Sequence, residues 1–247
     1  MSNDTNRRNF LKTLGTVGAT GVVAAVGVDA PVEAALTSAE PQAGSPAAAA
    51  PASAPVSHAY TFFTPPEAAL IEAAVDRLIP ADDLTPGGTD CGVAIFIDRQ
   101  LAGAWGTGDK TYMQGPWQKG APTQGYQSPL TPAEFFRAGI AATNAYCRKT
   151  LQKDFDRLTT DQQVKLLQDL EQGKVTLDGV SGQEFFNLLL ATAMQGFFAD
   201  PVYGGNRDKV SWKMVGFPGA VAIYSEHIKT YRNKKYDVEP KSIVDLS

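Results

Sequence analysis

The chain has 247 residues, 26 acidic against 22 basic, for a net charge of −4, with two cysteines and two histidines. That balance does not point to a nucleic-acid partner. Two cysteines are too few for a four-thiolate iron–sulfur cluster, no Cys-x-x-Cys-His marks a covalent haem, and no Gly-x-Gly-x-x-Gly marks a dinucleotide site.

The N-terminus reads Asn6-Arg7-Arg8-Asn9-Phe10-Leu11-Lys12. It resembles a twin-arginine export motif, with Asn6 where Ser or Thr is usual. A weakly apolar run, Leu14 to Val28, follows. It is too short and too rich in glycine for a good membrane span. Small residues offer cleavage after Ala30 or after Ala34. Residues 1–34 are therefore expected to be an export signal carried by Arg7, Arg8, Phe10 and Leu11, delivering a folded chain to the periplasm. Left uncut, the signal would serve as a loose membrane anchor. Residues 35–58 are mostly Ala, Pro and Ser and lack the large apolar side chains that offset chain entropy, so a disordered linker is expected. One folded domain is expected over residues 59–247.

Helix starts punctuate that domain. Thr64-Pro65-Pro66-Glu67 and Thr131-Pro132-Ala133-Glu134 each place Thr at the N-cap, Pro at the first helical position and Glu two residues later. Thr160-Asp161-Gln162-Gln163 and Ser181-Gly182-Gln183-Glu184 read as two further capping boxes. Apolar residues recur at helical spacing after each start, as at Leu70, Ile71, Ala74, Val75 and Leu78. The first helix is expected to end before Pro80, the Glu134 helix near Lys153, and the next at Gly173. Two more helices are expected over Val93–Leu101 and Gly219–Tyr231. No clear two-residue alternation appears, so the expected class is all-α, a single irregular helical domain with long loops. The longest loop, Gly103 to Pro129, carries Trp105, Tyr112, Trp117 and Tyr126, which either cap the core or dock a partner.

The residues available for chemistry are few. His58 adjoins the linker and His227 falls in the last expected helix. Glu67, Glu134 and Glu184 are read as caps, Asp82 and Asp83 as turn residues, and Asp98 with Arg99 as a solvated pair. No catalytic, cofactor-binding or metal-binding residues are assigned. In an oxidising compartment Cys91 and Cys147 are favoured as a disulfide over two buried thiols. It would close a loop of nearly sixty residues, worth roughly 4 kcal/mol on chain entropy.

One stretch is unusual: Phe197-Phe198-Ala199-Asp200-Pro201-Val202-Tyr203-Gly204-Gly205-Asn206, then Trp212 and Gly216-Phe217-Pro218-Gly219. It reads as a helix end followed by tight turns, with Pro218-Gly219 opening the last helix. It also resembles the signature of the gluconate 2-dehydrogenase subunit 3 family. Leu78-Ile79-Pro80-Ala81-Asp82, Gly92-Val93, Phe96-Ile97-Asp98, Gly115-Pro116-Trp117 and Gln124-Gly125-Tyr126-Gln127 match the same family. The resemblance implies a non-catalytic small subunit without a cofactor of its own. It further implies an FAD-dependent large subunit of the glucose–methanol–choline type as partner, and a multihaem cytochrome c that holds the complex at the cytoplasmic membrane. FAD, haem c and an iron–sulfur cluster would then belong to partner subunits. The small subunit would stabilise the flavin subunit and carry it through the twin-arginine pathway. On this reading Trp105, Trp117, Tyr126, Pro201, Tyr203, Gly204, Gly205, Asn206, Trp212 and Phe217 are the interface candidates. A competing reading is a stand-alone periplasmic sugar-acid-binding protein or enzyme using the Asp200–Asn206 turn.

Overall fold

The computed structural model describes residues 59–109, 111–118, 120–121 and 127–247. The expected signal, the linker and Tyr126 lie outside the described residues. The helices are α1 (Pro65–Leu78), α2 (Val93–Ala102), α3 (Pro132–Leu151), α4 (Thr160–Glu171), α5 (Gly182–Phe198), α6 (Val210–Val215) and α7 (Ser225–Thr230). Single 3-10 turns occur at Phe155–Arg157, Pro201–Tyr203, Arg207–Lys209 and Val244–Leu246. Among the described residues there is no strand, only one isolated bridge between Gly219 and Lys241, so the class is all-α as expected.

The capping chemistry explains where the helices begin. Glu67 reaches back to accept the Thr64 amide at 2.8 Å. Thr131 and Glu134 complete both arms of their box, at 3.3 and 2.8 Å. At α5 the Ser181 hydroxyl accepts from the Glu184 amide at 3.2 Å. The α4 box is shifted by one residue from the expected one. Thr159 is the N-cap and exchanges bonds with Gln162. Gln163 is thereby released inward, where its amide donates to the Phe155 carbonyl at 3.0 Å. Asn144 accepts the Phe155 amide from the other side, also at 3.0 Å. Two buried carboxamides thus satisfy both backbone groups of Phe155 at the α3–α4 turn.

Helix α5 is the centre of the domain and packs against α1, α2, α3, α4 and α6. Its Phe185 meets Phe136 of α3 edge-on, with centroids 6.0 Å apart. Phe185, Phe186, Leu189, Ala193 and Phe197 are buried on it, and Leu70, Ile71, Ile97, Ile140 and Leu170 are buried on the helices packed around it. Each large apolar side chain so buried contributes about 1.5–3 kcal/mol.

A short strap precedes α1 and fixes where the domain starts. Asp98 on α2 is 2% exposed. Its carboxylate accepts the amides of Thr61, Phe62 and Phe63 at 2.8 to 2.9 Å, and the Thr61 hydroxyl at 2.8 Å. The expected solvated Asp98–Arg99 pair is therefore wrong. Asp98 turns into the domain because three backbone donors need an acceptor there, while Arg99 points out. Arg137 stacks over the Phe62 ring at 4.3 Å and donates to the Phe62 carbonyl at 3.0 Å. The Tyr60 hydroxyl donates to Glu72 at 2.5 Å, and burial together with that carboxylate raises its pKa.

The C-terminal part differs most from expectation. Residues 210–215, read as part of a turn, form α6. The expected helix over Gly219–Tyr231 shrinks to Ser225–Thr230. Gly219 does not open it, because it is held in the bridge to Lys241 with φ of 83°.

Candidate functional site

The Asp200–Gly219 stretch is a corner folded around one side chain, Asn206, whose relative exposure is 0%. Its amide nitrogen donates to the Ala199 carbonyl at the end of α5, 2.9 Å away. Its oxygen accepts from the Ser211 amide at 3.0 Å and the Ser211 hydroxyl at 2.8 Å, at the start of α6. One carboxamide therefore joins the C-terminus of α5 to the N-terminus of α6, where each helix leaves backbone groups without intrahelical partners.

Backbone shape in the corner follows from residue type. Gly204 (φ 104°) and Asn206 (φ 47°) occupy the left-handed region expected of them. Gly205 has a different reason. A Cβ there would sit 2.0 Å from the Gly196 carbonyl oxygen, so the turn lies directly on α5. Gly204 likewise approaches the entry to α2: a Cβ on Gly92 would meet the Gly204 carbonyl at 2.4 Å. The Arg207 amide donates to the Cys91 carbonyl at 2.9 Å and closes that contact.

The interface candidates separate into two groups. Trp212 is buried, donates its indole N–H to the Phe198 carbonyl at 2.9 Å, and meets the Phe217 ring edge-on at 5.2 Å. Asn206, Gly205 and Trp212 give the corner its form and present little surface. Tyr203 and Phe217 face solvent, at 50% and 45% exposure. Pro201 and Gly204 are half-buried. In the aromatic loop Trp105 is half-buried against Phe136, centroids 6.4 Å apart, and Trp117 is half-buried near Gly115.

Sequence reasoning missed the apolar surface around these residues. Phe198, Val202, Met214 and Val215 are exposed on the same corner. Leu84 and Tyr112 excepted, every exposed large apolar side chain among the described residues lies beyond Phe197. Helical spacing from buried Trp212 turns Met214 away from the core, but it would place Val215, three residues on, beside Trp212, so the exposure of Val215 is set by packing.

The C-terminal tail straps the corner. Asp200 divides its two oxygens between the Val202 amide at 3.0 Å and the Ile243 amide at 2.8 Å. Lys209 donates to Asp245 at 2.9 Å, and that ammonium with the Ser242 amide holds the Asp245 carboxyl down to about 2. Both Asp200 oxygens and the Asn206 carboxamide thus bond within the chain, and Asn206 is itself buried. Among the described residues no group of three or more His, Cys, Asp or Glu is placed to hold a metal ion.

The expected disulfide is not formed. Cys91 and Cys147 are two buried thiols. The Cys91 thiol is directed at the Pro86 carbonyl, 3.4 Å away in the α1–α2 connection, while Cys147 lies within α3. Burial, with Asp154 nearby, pushes the Cys147 thiol up to about 11. A thiolate reagent at neutral pH should therefore leave the native protein almost unmodified and label two thiols once it is denatured without reductant. Mass spectrometry after alkylation reads the outcome; failure to label denatured protein would restore the disulfide.

Searches of curated proteins and of solved structures return no match. The family model described as gluconate 2-dehydrogenase subunit 3 matches residues 65–219, from the first residue of α1 to the bridge that ends the corner. With that match spanning the helical core, the glycine contacts and the Asn206 corner, the chain belongs to the gluconate 2-dehydrogenase subunit 3 family.

Proposed function

We propose that this chain is the non-catalytic small subunit of a periplasmic gluconate 2-dehydrogenase-like complex, where it binds, stabilises and co-exports an FAD-dependent large subunit. The observation that carries this reading is the corner itself. A turn held by internal hydrogen bonds displays Phe198, Val202, Tyr203 and Phe217 to solvent within the family-matched residues. Rigid aromatic side chains on a preformed surface are the usual carriers of interface energy, because little conformational entropy is lost when they are covered. The large subunit is of the glucose–methanol–choline type, and a multihaem cytochrome c completes the complex at the membrane. FAD, haem c and an iron–sulfur cluster reside in those partners. Arg7 and Arg8 address the pair, since a flavoprotein loaded with FAD in the cytoplasm has to cross the membrane folded.

Co-expression with a tagged flavin subunit tests both halves. Tyr203→Ala with Phe217→Ala should weaken capture by roughly 2 kcal/mol, about thirtyfold, with the helical circular dichroism unchanged. Arg7→Lys with Arg8→Lys should keep both subunits in the cytoplasm. Undiminished capture by the first variant removes the corner as the interface. Periplasmic flavin subunit with the second variant removes the escort role.

A further inference from the structure

We propose that residues 220–236, beyond the family-matched region, form a peripheral docking site for an anionic lipid bilayer surface. The segment carries Lys229, Arg232, Lys234 and Lys235 against Glu226 alone, in a chain whose net charge is −4. Its rings pack on one another. His227 lies 6.3 Å from Tyr224, 5.9 Å from Tyr231 and 5.3 Å from Tyr236, while Tyr231 and Tyr236 stand at 4.7 Å. The Tyr236 hydroxyl and His227 Nδ1 are 2.5 Å apart. An open groove of about 230 Å³ is lined by these rings together with Ile228, Arg232 and Lys234.

This aromatic knot holds two aliphatic side chains out in water: Ile223 is 71% exposed and Ile228 68%. Lys229, Arg232 and Lys234 are exposed beside them, and Lys235 pairs with Asp237 at 3.2 Å. A protein interface gathers its apolar residues at the centre and is depleted in lysine. Here isoleucine, tyrosine and lysine interleave over a few residues. That is the pattern of a segment lying among lipid headgroups, with tyrosines at headgroup level, aliphatics at the acyl boundary and lysine stems reaching outward. No described helix is long and apolar enough to cross a membrane, and α7 has only six residues, so the contact is peripheral. Two isoleucines and a few cations give weak, salt-sensitive, reversible binding.

The full chain with Ile228→Cys, labelled with a polarity-sensitive fluorophore, tests the site locally, since both native thiols are buried. Vesicles of phosphatidylcholine containing phosphatidylglycerol should shift its emission to the blue, and vesicles of phosphatidylcholine alone should not. Adding Lys229→Glu, Arg232→Glu and Lys234→Glu should weaken vesicle binding at least tenfold, on the scale of basic residues near anionic lipid. The same variants should still capture the flavin subunit. No blue shift on anionic vesicles, or binding unchanged by the three substitutions, overturns the proposal. Loss of flavin-subunit capture with vesicle binding intact also overturns it, and makes the segment a protein interface.

Discussion

Asp98→Ala is expected to destabilise the domain by roughly 3 kcal/mol or more, and Asp98→Asn by nearly as much. The carboxylate is buried and accepts from three consecutive backbone amides and one hydroxyl. Alanine removes every acceptor and strands the Phe63 amide in a buried site. Asparagine keeps one oxygen and turns a second donor toward the remaining amides, so isosteric replacement does not rescue. The Phe62 stack on Arg137 and the Tyr60 bond to Glu72 depend on the strap staying in place, which adds to the loss. Urea unfolding should show a lower midpoint at unchanged slope. Hydrogen exchange should show lost protection at 61–63 before any change in α5. A midpoint shift worth less than about 1 kcal/mol would mean that water replaces the carboxylate, and the clamp would be incidental.

Asn206→Ala is expected to cost a similar amount, about 3 kcal/mol, by leaving the Ala199 carbonyl and both Ser211 donors without their buried partner. A further strain of about 1 kcal/mol arises because alanine must sit at positive φ. Asn206→Gly separates the two contributions: it relieves the strain and keeps the hydrogen-bond loss. Calorimetry should therefore order the melting temperatures as wild type, then glycine, then alanine. The corner should also lose its shape, so on the assembly proposed above capture of the flavin subunit falls although Asn206 is itself covered. A glycine variant as stable as wild type would show that the carboxamide is not what joins α5 to α6.

The helices were legible in the sequence to the extent that their starts are encoded locally. Thr64, Thr131 and Ser181 announce α1, α3 and α5 within four residues each. The slip at α4 shows the limit of that code. Thr159-Thr160 and Gln162-Gln163 fit two registers equally, and only the inward bond of Gln163 to Phe155 selects one. Asp98 escapes the local code for a related reason: its acceptor role is set by residues 61–63 on a distant stretch of chain. The last helix is shorter than its periodicity suggests because Gly219 is taken by Lys241, a pairing that local periodicity does not reveal. The disulfide rested on compartment, and compartment says nothing about which elements two thiols occupy. At the corner the turn and its positive dihedrals were readable from Gly204 and Asn206. The apolar display around them was not, because exposure belongs to packing.

Asn206 draws one bond from the last turn of α5 and two from the first turn of α6, so the exposed corner exists only while both helices are in place. A partner that grips Tyr203 and Phe217 consequently recognises the folded chain and ignores the unfolded one. By mass action such binding stabilises the fold by about 2.7 kcal/mol when the partner is present at a hundred times its dissociation constant. On the assembly proposed above, recognition and quality control then become one event: the partner binds only a small subunit whose core has already closed.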